Sequence, residues 1–165
     1  MKNVDESKIS SIESMFGEDD EETRQFRVLY DKAVKFITAF AWHGKIERAY
    51  FGLGAADIVG VFLFELIPAS ASVDRFLWVV IGDLPPAYLV TDDTPNPACA
   101  LDAYIREMRK WLEAVKLGEP TADLVPVNAP PTVENANDLE NRLEFLEKEI
   151  LGNYRGDLAE GKSTA

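Results

Sequence analysis

Glu65 has the setting that most invites chemistry. It is a carboxylate inside the apolar run Val61-Phe62-Leu63-Phe64-Glu65-Leu66-Ile67, and an isolated buried charge is too costly to keep. The side chain must be ion-paired, held neutral or aimed at a cleft, and in the last two cases it is a candidate general acid or base with a raised pKa. Arg48 and Arg75, on neighbouring strands, are the partners that would make it structural. His43 is the only histidine, so mechanisms needing two imidazoles are closed and a single general base remains, oriented by Glu65 or Asp83. A histidine at the end of a helix also interacts well with the dipole, without any catalysis. Glu65, His43 and Asp83 are thus the catalytic candidates, expected at the rim of a sheet. Trp42, Trp78 and Tyr88 are the aromatic candidates for holding a ligand there.

Other motifs carry less. Gly52-Leu53-Gly54 resembles part of a dinucleotide loop, but β-branched and aromatic residues follow it where such a loop needs a helix. A hairpin turn is the simpler reading. Asp83, Asp92 and Asp93, with Asp57 and Asp74, offer oxygen ligands without the spacing of a calcium loop, so no metal and no cofactor is expected. Cys99, the only cysteine, falls in the first turn of a helix opened by Pro97, where amides lower a thiol pKa while Asp92 and Asp93 oppose that effect. It reads as a small buried residue. A lone cysteine also forbids an intrachain disulfide and fits a reducing cytoplasm.

The chain has 165 residues, 47% hydrophobic and 28% charged, the composition of one globular domain. Seventeen basic against 29 acidic residues give a net charge of −12. Such a surface repels phosphate, which argues against nucleic acid and anionic lipid. The charge is concentrated at the ends: residues 1–22 carry −6, residues 134–165 carry −4, and the middle carries −2. Glu18 to Glu22 is five acids in succession, which suits the positive end of a helix dipole. No secretion signal opens the chain, and the longest apolar run, residues 58–67, is about half the length that spans a bilayer. A cytoplasmic protein is expected.

The elements that must position these residues follow from periodicity. Phe26, Leu29, Tyr30, Ala33, Val34, Ile37 and Phe40 mark one helical face, closed near Gly44. A shorter helix is expected over 7–16 from Ile9, Ile12, Met15 and Phe16. Segments 46–51, 58–67, 76–81 and 87–90 are rich in β-formers and separated by turn residues, which predicts a four-stranded antiparallel meander. Asn96 and Pro97 open a helix that ends at Gly118. Residues 120–131 read as an extended strap. Asn137 and Glu140 form a capping box for a last helix striped by Leu139, Leu143, Leu146 and Ile150.

The expected fold is α+β, in the order helix, four strands, helix, helix, with the helices on one face of the sheet. Its divisions are an acidic helical segment over 1–22, one domain over 23–152 and a disordered tail over 153–165. The functional expectation is a non-enzymatic interaction module that binds a basic or mixed-charge protein, in the manner of an immunity protein or antitoxin. It is a monomer or a weak homodimer through the Leu139 to Ile150 stripe. The alternative is a small-ligand binder or small enzyme built on Glu65, His43 and Asp83.

Overall fold

The computed structural model describes residues 3–163. Asp19 caps the first helix, α1 (Asp20–Thr38), its carboxylate accepting from the Glu22 amide, and the acidic run becomes the first turn. α1 buries Phe26, Leu29, Ala33 and Ile37. A 3-10 turn over Ala41–His43 follows, and Gly44 turns the chain into the sheet at φ +65°, a conformation glycine adopts without strain.

The four expected strands are present, as β2 (Lys45–Ala55), β3 (Val59–Ile67), β4 (Phe76–Gly82) and β5 (Ala87–Val90). A fifth precedes them: β1 (Ser10–Ser11) pairs with Tyr50 and Phe51 of β2, so the meander order is β1-β2-β3-β4-β5, all antiparallel. Two serines carry no strand signal, and the helix expected over 7–16 is instead two 3-10 turns flanking β1. Ile12 and Met15 are nevertheless buried, while Phe16 is exposed.

One-sided packing is corrected as well. Along β3 every residue but Ile67 is buried, and strand side chains alternate between faces, so both faces must be covered. Phe62, Phe64 and Leu66, with Leu77, Val79 and Ile81 of β4, meet α1. Val59, Val61 and Leu63, with Trp78 and Val80, meet α2 (Pro97–Leu117) and α3 (Val133–Phe145) on the other side. The result is a three-layer α/β/α arrangement within the α+β class, in which each such buried side chain contributes about 1.5–3 kcal/mol.

Asn96 and Gly118 bound α2 where their residue types place them: the Asn96 carboxamide oxygen accepts from the Cys99 amide at 2.9 Å, and Gly118 is left-handed at φ +70°. α3 is capped by Thr132, five residues before the expected Asn137. It widens into a π turn over Leu146–Ile150 and tightens into a 3-10 turn over Leu151–Tyr154. Of the segment 153–165 expected to be a disordered tail, residues 164 and 165 lie outside the described residues and nearly all the rest forms α4 (Arg155–Ser163). Long-range bonds hold it: Asn96 Nδ2 donates to the Asp157 carbonyl at 2.9 Å, and Lys8 pairs with the Asp157 carboxylate at 2.9 Å. Among the described residues, no helix is long and apolar enough to cross a membrane.

Candidate functional site

Glu65 lies on the α2 face of β3, 7% exposed, directly opposite Arg48 on β2 and Phe76 on β4. Its partner is Arg75: Nη2 and Nε donate to the same oxygen, Oε2, at 2.7 and 3.1 Å. The Arg75 guanidinium also lies 5.8 Å from the centre of the Phe76 ring. The carboxylate is therefore spoken for by an ion pair at the sheet surface, the structural alternative for this residue.

Asp83 is at the other end of the sheet. Glu65 pairs with Phe76, and Asp83 lies seven residues further along the chain, about 23 Å at the rise of a strand. There it faces Arg142 at 3.6 Å, beside a cleft of about 440 Å³ that Asp57, Asn141 and Phe145 also line. His43 closes the 3-10 turn after α1. Its Nδ1 donates to the Phe40 carbonyl at 2.7 Å, and its backbone amide donates to the same oxygen at 3.1 Å. The ring braces the turn. The three catalytic candidates are thus not gathered at one point, because one end of β4 carries Asp83 and the other carries the Glu65 pair. The aspartates do not converge either, and no group of three or more metal-ligating side chains forms among the described residues.

The aromatic candidates divide differently. Trp78 is fully buried on the α2 face, its indole Nε1 donating to the Thr94 carbonyl at 3.0 Å. Trp42 and Tyr88 come together on the α1 face, ring centres 5.0 Å apart and planes inclined at 65°. Phe40 lies 4.9 Å from Trp42 and 5.3 Å from Tyr88, and Phe36 lies 6.5 Å from Tyr88. Offset and edge-on geometries of this kind are the favourable ones for aromatic pairs. Phe36 lies in the last turns of α1 and Phe40 just after its end, before the 3-10 turn, and their spacing alone reads as core. What sets them apart is their ring contact with Trp42 and Tyr88 at the C-terminal end of α1 and the turn after it.

This aromatic cluster borders β5, which among the described residues pairs with β4 alone and so has no strand on its other edge. On β5, Tyr88 and Val90 are opposite Val79 and Leu77 and so share the α1 face, 39% and 44% exposed. Beside them a cleft of about 410 Å³ is floored by Leu77 and edged by Ser70, Ser72 and Asp74 of the β3–β4 loop. The loop is tied to the aromatic turn, since the Ala69 amide donates to the Trp42 carbonyl at 3.2 Å. Asp74 at the mouth, and Asp92 and Asp93 just beyond β5, have no ion-pair partner among the described residues. Arg75, the nearest cation in sequence, is held on the opposite face by Glu65.

The acidic ends of the chain do not form one surface. Glu18 to Glu22 lead α1 on one face of the sheet, whereas α3 and the segment after it pack on the other. The leucine stripe expected to mediate self-association is used within the chain, with Leu139, Leu143 and Leu146 buried in the α2-side core. Cys99 is covered by α4, with its Sγ 3.7 Å from the Asp157 carbonyl, and burial pushes its thiol pKa up. That is the reverse of an activated nucleophile.

No protein-family model, curated protein or solved structure matches the chain.

Proposed function

We propose that this protein is a non-enzymatic interaction module that captures an extended segment of a protein partner along β5. The observation that carries the proposal is the β5 edge, on which no strand pairs among the described residues, bearing Tyr88 and Val90 on one face and continuous with the Phe36, Phe40, Trp42 and Tyr88 cluster. Unpaired edges invite an added strand, and natural proteins usually blunt them with lysines, prolines or cover. The four residues of β5, Ala87-Tyr88-Leu89-Val90, include neither lysine nor proline. A strand added there gains main-chain hydrogen bonds, and its alternate side chains land on the aromatic patch. Asp74, Asp92 and Asp93 around the same edge favour a partner with basic residues between its apolar ones. A cytoplasmic role of the immunity or antitoxin type, masking a basic partner, suits this chemistry.

Selection from a displayed library of random ten-residue peptides tests the reading. Enriched sequences should alternate aromatic or aliphatic residues with Lys or Arg, bind more weakly at 0.5 M than at 0.05 M salt, and slow amide exchange at residues 87–90. Val90→Lys, which places a charge on the edge, should abolish capture and leave the thermal midpoint nearly unchanged. Capture that survives Val90→Lys, or enrichment of sequences without alternation, would refute the proposal. The alternative, a small-ligand binder, is favoured by one observation, the cleft of about 410 Å³, a size within the range of about 300–1,000 Å³ typical of ligand pockets.

A further inference from the structure

The cleft beside Tyr88 has a composition that two other clefts among the described residues do not share. One, at the far end of the sheet, already contains a guanidinium, that of Arg142, among its lining side chains. Another is bordered by Asp5, Asp92 and Asp93 and lacks an aromatic wall. The cleft beside Tyr88 is lined by Trp42 and Tyr88, Leu77, the serines Ser70 and Ser72 and Asp74, with no basic residue in its lining.

We infer that this cleft is a binding site for an alkylammonium or guanidinium group, and that its physiological occupant is a lysine or arginine side chain on the strand captured by β5. The second half of that statement rests on the strand-capture reading. The first half stands on the cleft alone.

Aromatic faces carry negative potential and attract a cation held within about 6 Å of the ring centre. Trp42 and Tyr88, their ring centres 5.0 Å apart and their planes inclined at 65°, both line this volume. Asp74 adds a full negative charge at the mouth that no basic side chain among the described residues neutralises. Ser70 and Ser72, whose hydroxyl oxygens are 2.9 Å apart, offer acceptors for ammonium or guanidinium hydrogens. The buried Leu77 floor suits the methylene stem that carries such a group, since long basic side chains lay an apolar stem against apolar surface and keep the charge in a polar setting. Anionic and neutral ligands lack these advantages: the first is repelled by Asp74, and the second leaves it unused.

The position relative to β5 selects the source. Tyr88 forms a wall of the cleft and Val90 part of its border while both stand on the edge strand. A side chain leaving an added strand toward the α1 face therefore enters the cleft directly. A second copy of this chain is a poor source. Antiparallel pairing of two β5 edges about their centre would set Asp92 and Asp93 of each copy beside the Leu84 and Pro85 positions of the other, close to Asp83. That concentrates like charges between two chains of net charge −12.

The test uses the full chain and two pairs of probes. N-acetyl-lysine methylamide is compared with its uncharged analogue N-acetyl-norleucine methylamide. A heptapeptide of alternating valine and threonine with one central lysine is compared with the same peptide carrying norleucine. Binding is followed by nuclear magnetic resonance at the Trp42 indole and at the amides of residues 70–74. The lysine compounds should bind at least about fivefold more tightly than their norleucine counterparts, and Asp74→Asn should remove that preference. Asp74 is exposed, so the variant keeps its fold, and an unchanged thermal melt verifies this. If lysine and norleucine peptides bind β5 equally and Asp74→Asn has no effect, the cation site is overturned and strand capture stands. If the free lysine derivative binds in an Asp74-dependent way while no peptide does, the cation site stands for free amines and strand capture falls. If neither the free compounds nor the peptides perturb Trp42, the cation site is refuted.

Discussion

Replacing Arg75 by methionine would leave the Glu65 carboxylate with no hydrogen-bond donor at Oε2 in a side chain only 9% exposed. At about 4 Å between charge centres, the lost attraction is about 4 kcal/mol at an effective dielectric of 20 and about 1 kcal/mol in bulk water. Stripping the partner from a fully buried ion pair costs about 3–5 kcal/mol. The Arg75 side chain is 63% exposed, however, so water screens the pair and can reach the orphaned carboxylate, and the expected cost falls to about 1–3 kcal/mol. Urea unfolding reads this directly, and for a domain of this size 2 kcal/mol corresponds to a drop of about 4–8 °C in the thermal midpoint. The double variant Glu65→Met with Arg75→Met removes both charges and should recover to within about 1 kcal/mol of the parent, because two apolar side chains replace the pair without an unpaired charge. An Arg75→Met variant that loses less than about 0.5 kcal/mol, or a double variant worse than Arg75→Met alone, would refute the view that Glu65 is there to be paired.

Three further outcomes follow from packing. Gly44→Ala should destabilise by about 2 kcal/mol or more, seen in the same urea assay, because φ is +65° and the new methyl would sit 2.0 Å from the Ile67 carbonyl oxygen. Tyr104, whose hydroxyl donates to the Pro85 carbonyl at 2.5 Å, is buried, and burial raises its pKa well above the ordinary 10.0. The unfolded chain releases that proton near pH 10 and the folded one keeps it, so stability should be lost as pH rises above 10, by up to about 1.4 kcal/mol per pH unit. Unfolding from pH 9 to 11 should show a shallower decline in Tyr104→Phe. Finally, Gly161→Ala places a methyl 2.2 Å from Cys99 Sγ, so α4 must shift. Cys99 should then react with a thiol reagent many times faster than in the parent, in which α4 covers it.

The large elements were legible because their signals are local. The α1 stripe, the four β-rich segments and the Asn96-Pro97 start and Gly118 stop of α2 each lie within a few residues of chain. β1 was not, since its two serines owe their pairing to Tyr50 and Phe51 some forty residues away. α4 was hidden by Gly156 and Gly161, poor helix formers, which are accommodated because Asn96 and Lys8 hold Asp157. At the site, Trp42 and Tyr88 stood out as aromatic residues beside turns, and Arg75 was one of two partners named for Glu65. Phe40 and Asp74 carry no such mark: the first sits in a helical stripe, the second among ordinary loop charges. Only the closure of α1 against the β3–β4 loop makes them neighbours of the same cleft.

The clasp between Lys8 and Asp157 has a consequence for connectivity. Asn3 to Asp5 and Gly161 border the same cleft, the Asp5 amide donates to the Pro95 carbonyl at 2.7 Å, and Val4 is part of the α2-side core. The two ends of the described chain are thus spatial neighbours, held by contacts that do not depend on which end was synthesised first. A few glycines and serines joining them, with a new opening cut in the strap between α2 and α3, would yield a circularly permuted chain with the same three layers. In that permutant β5 and its aromatic border keep every neighbour they have now.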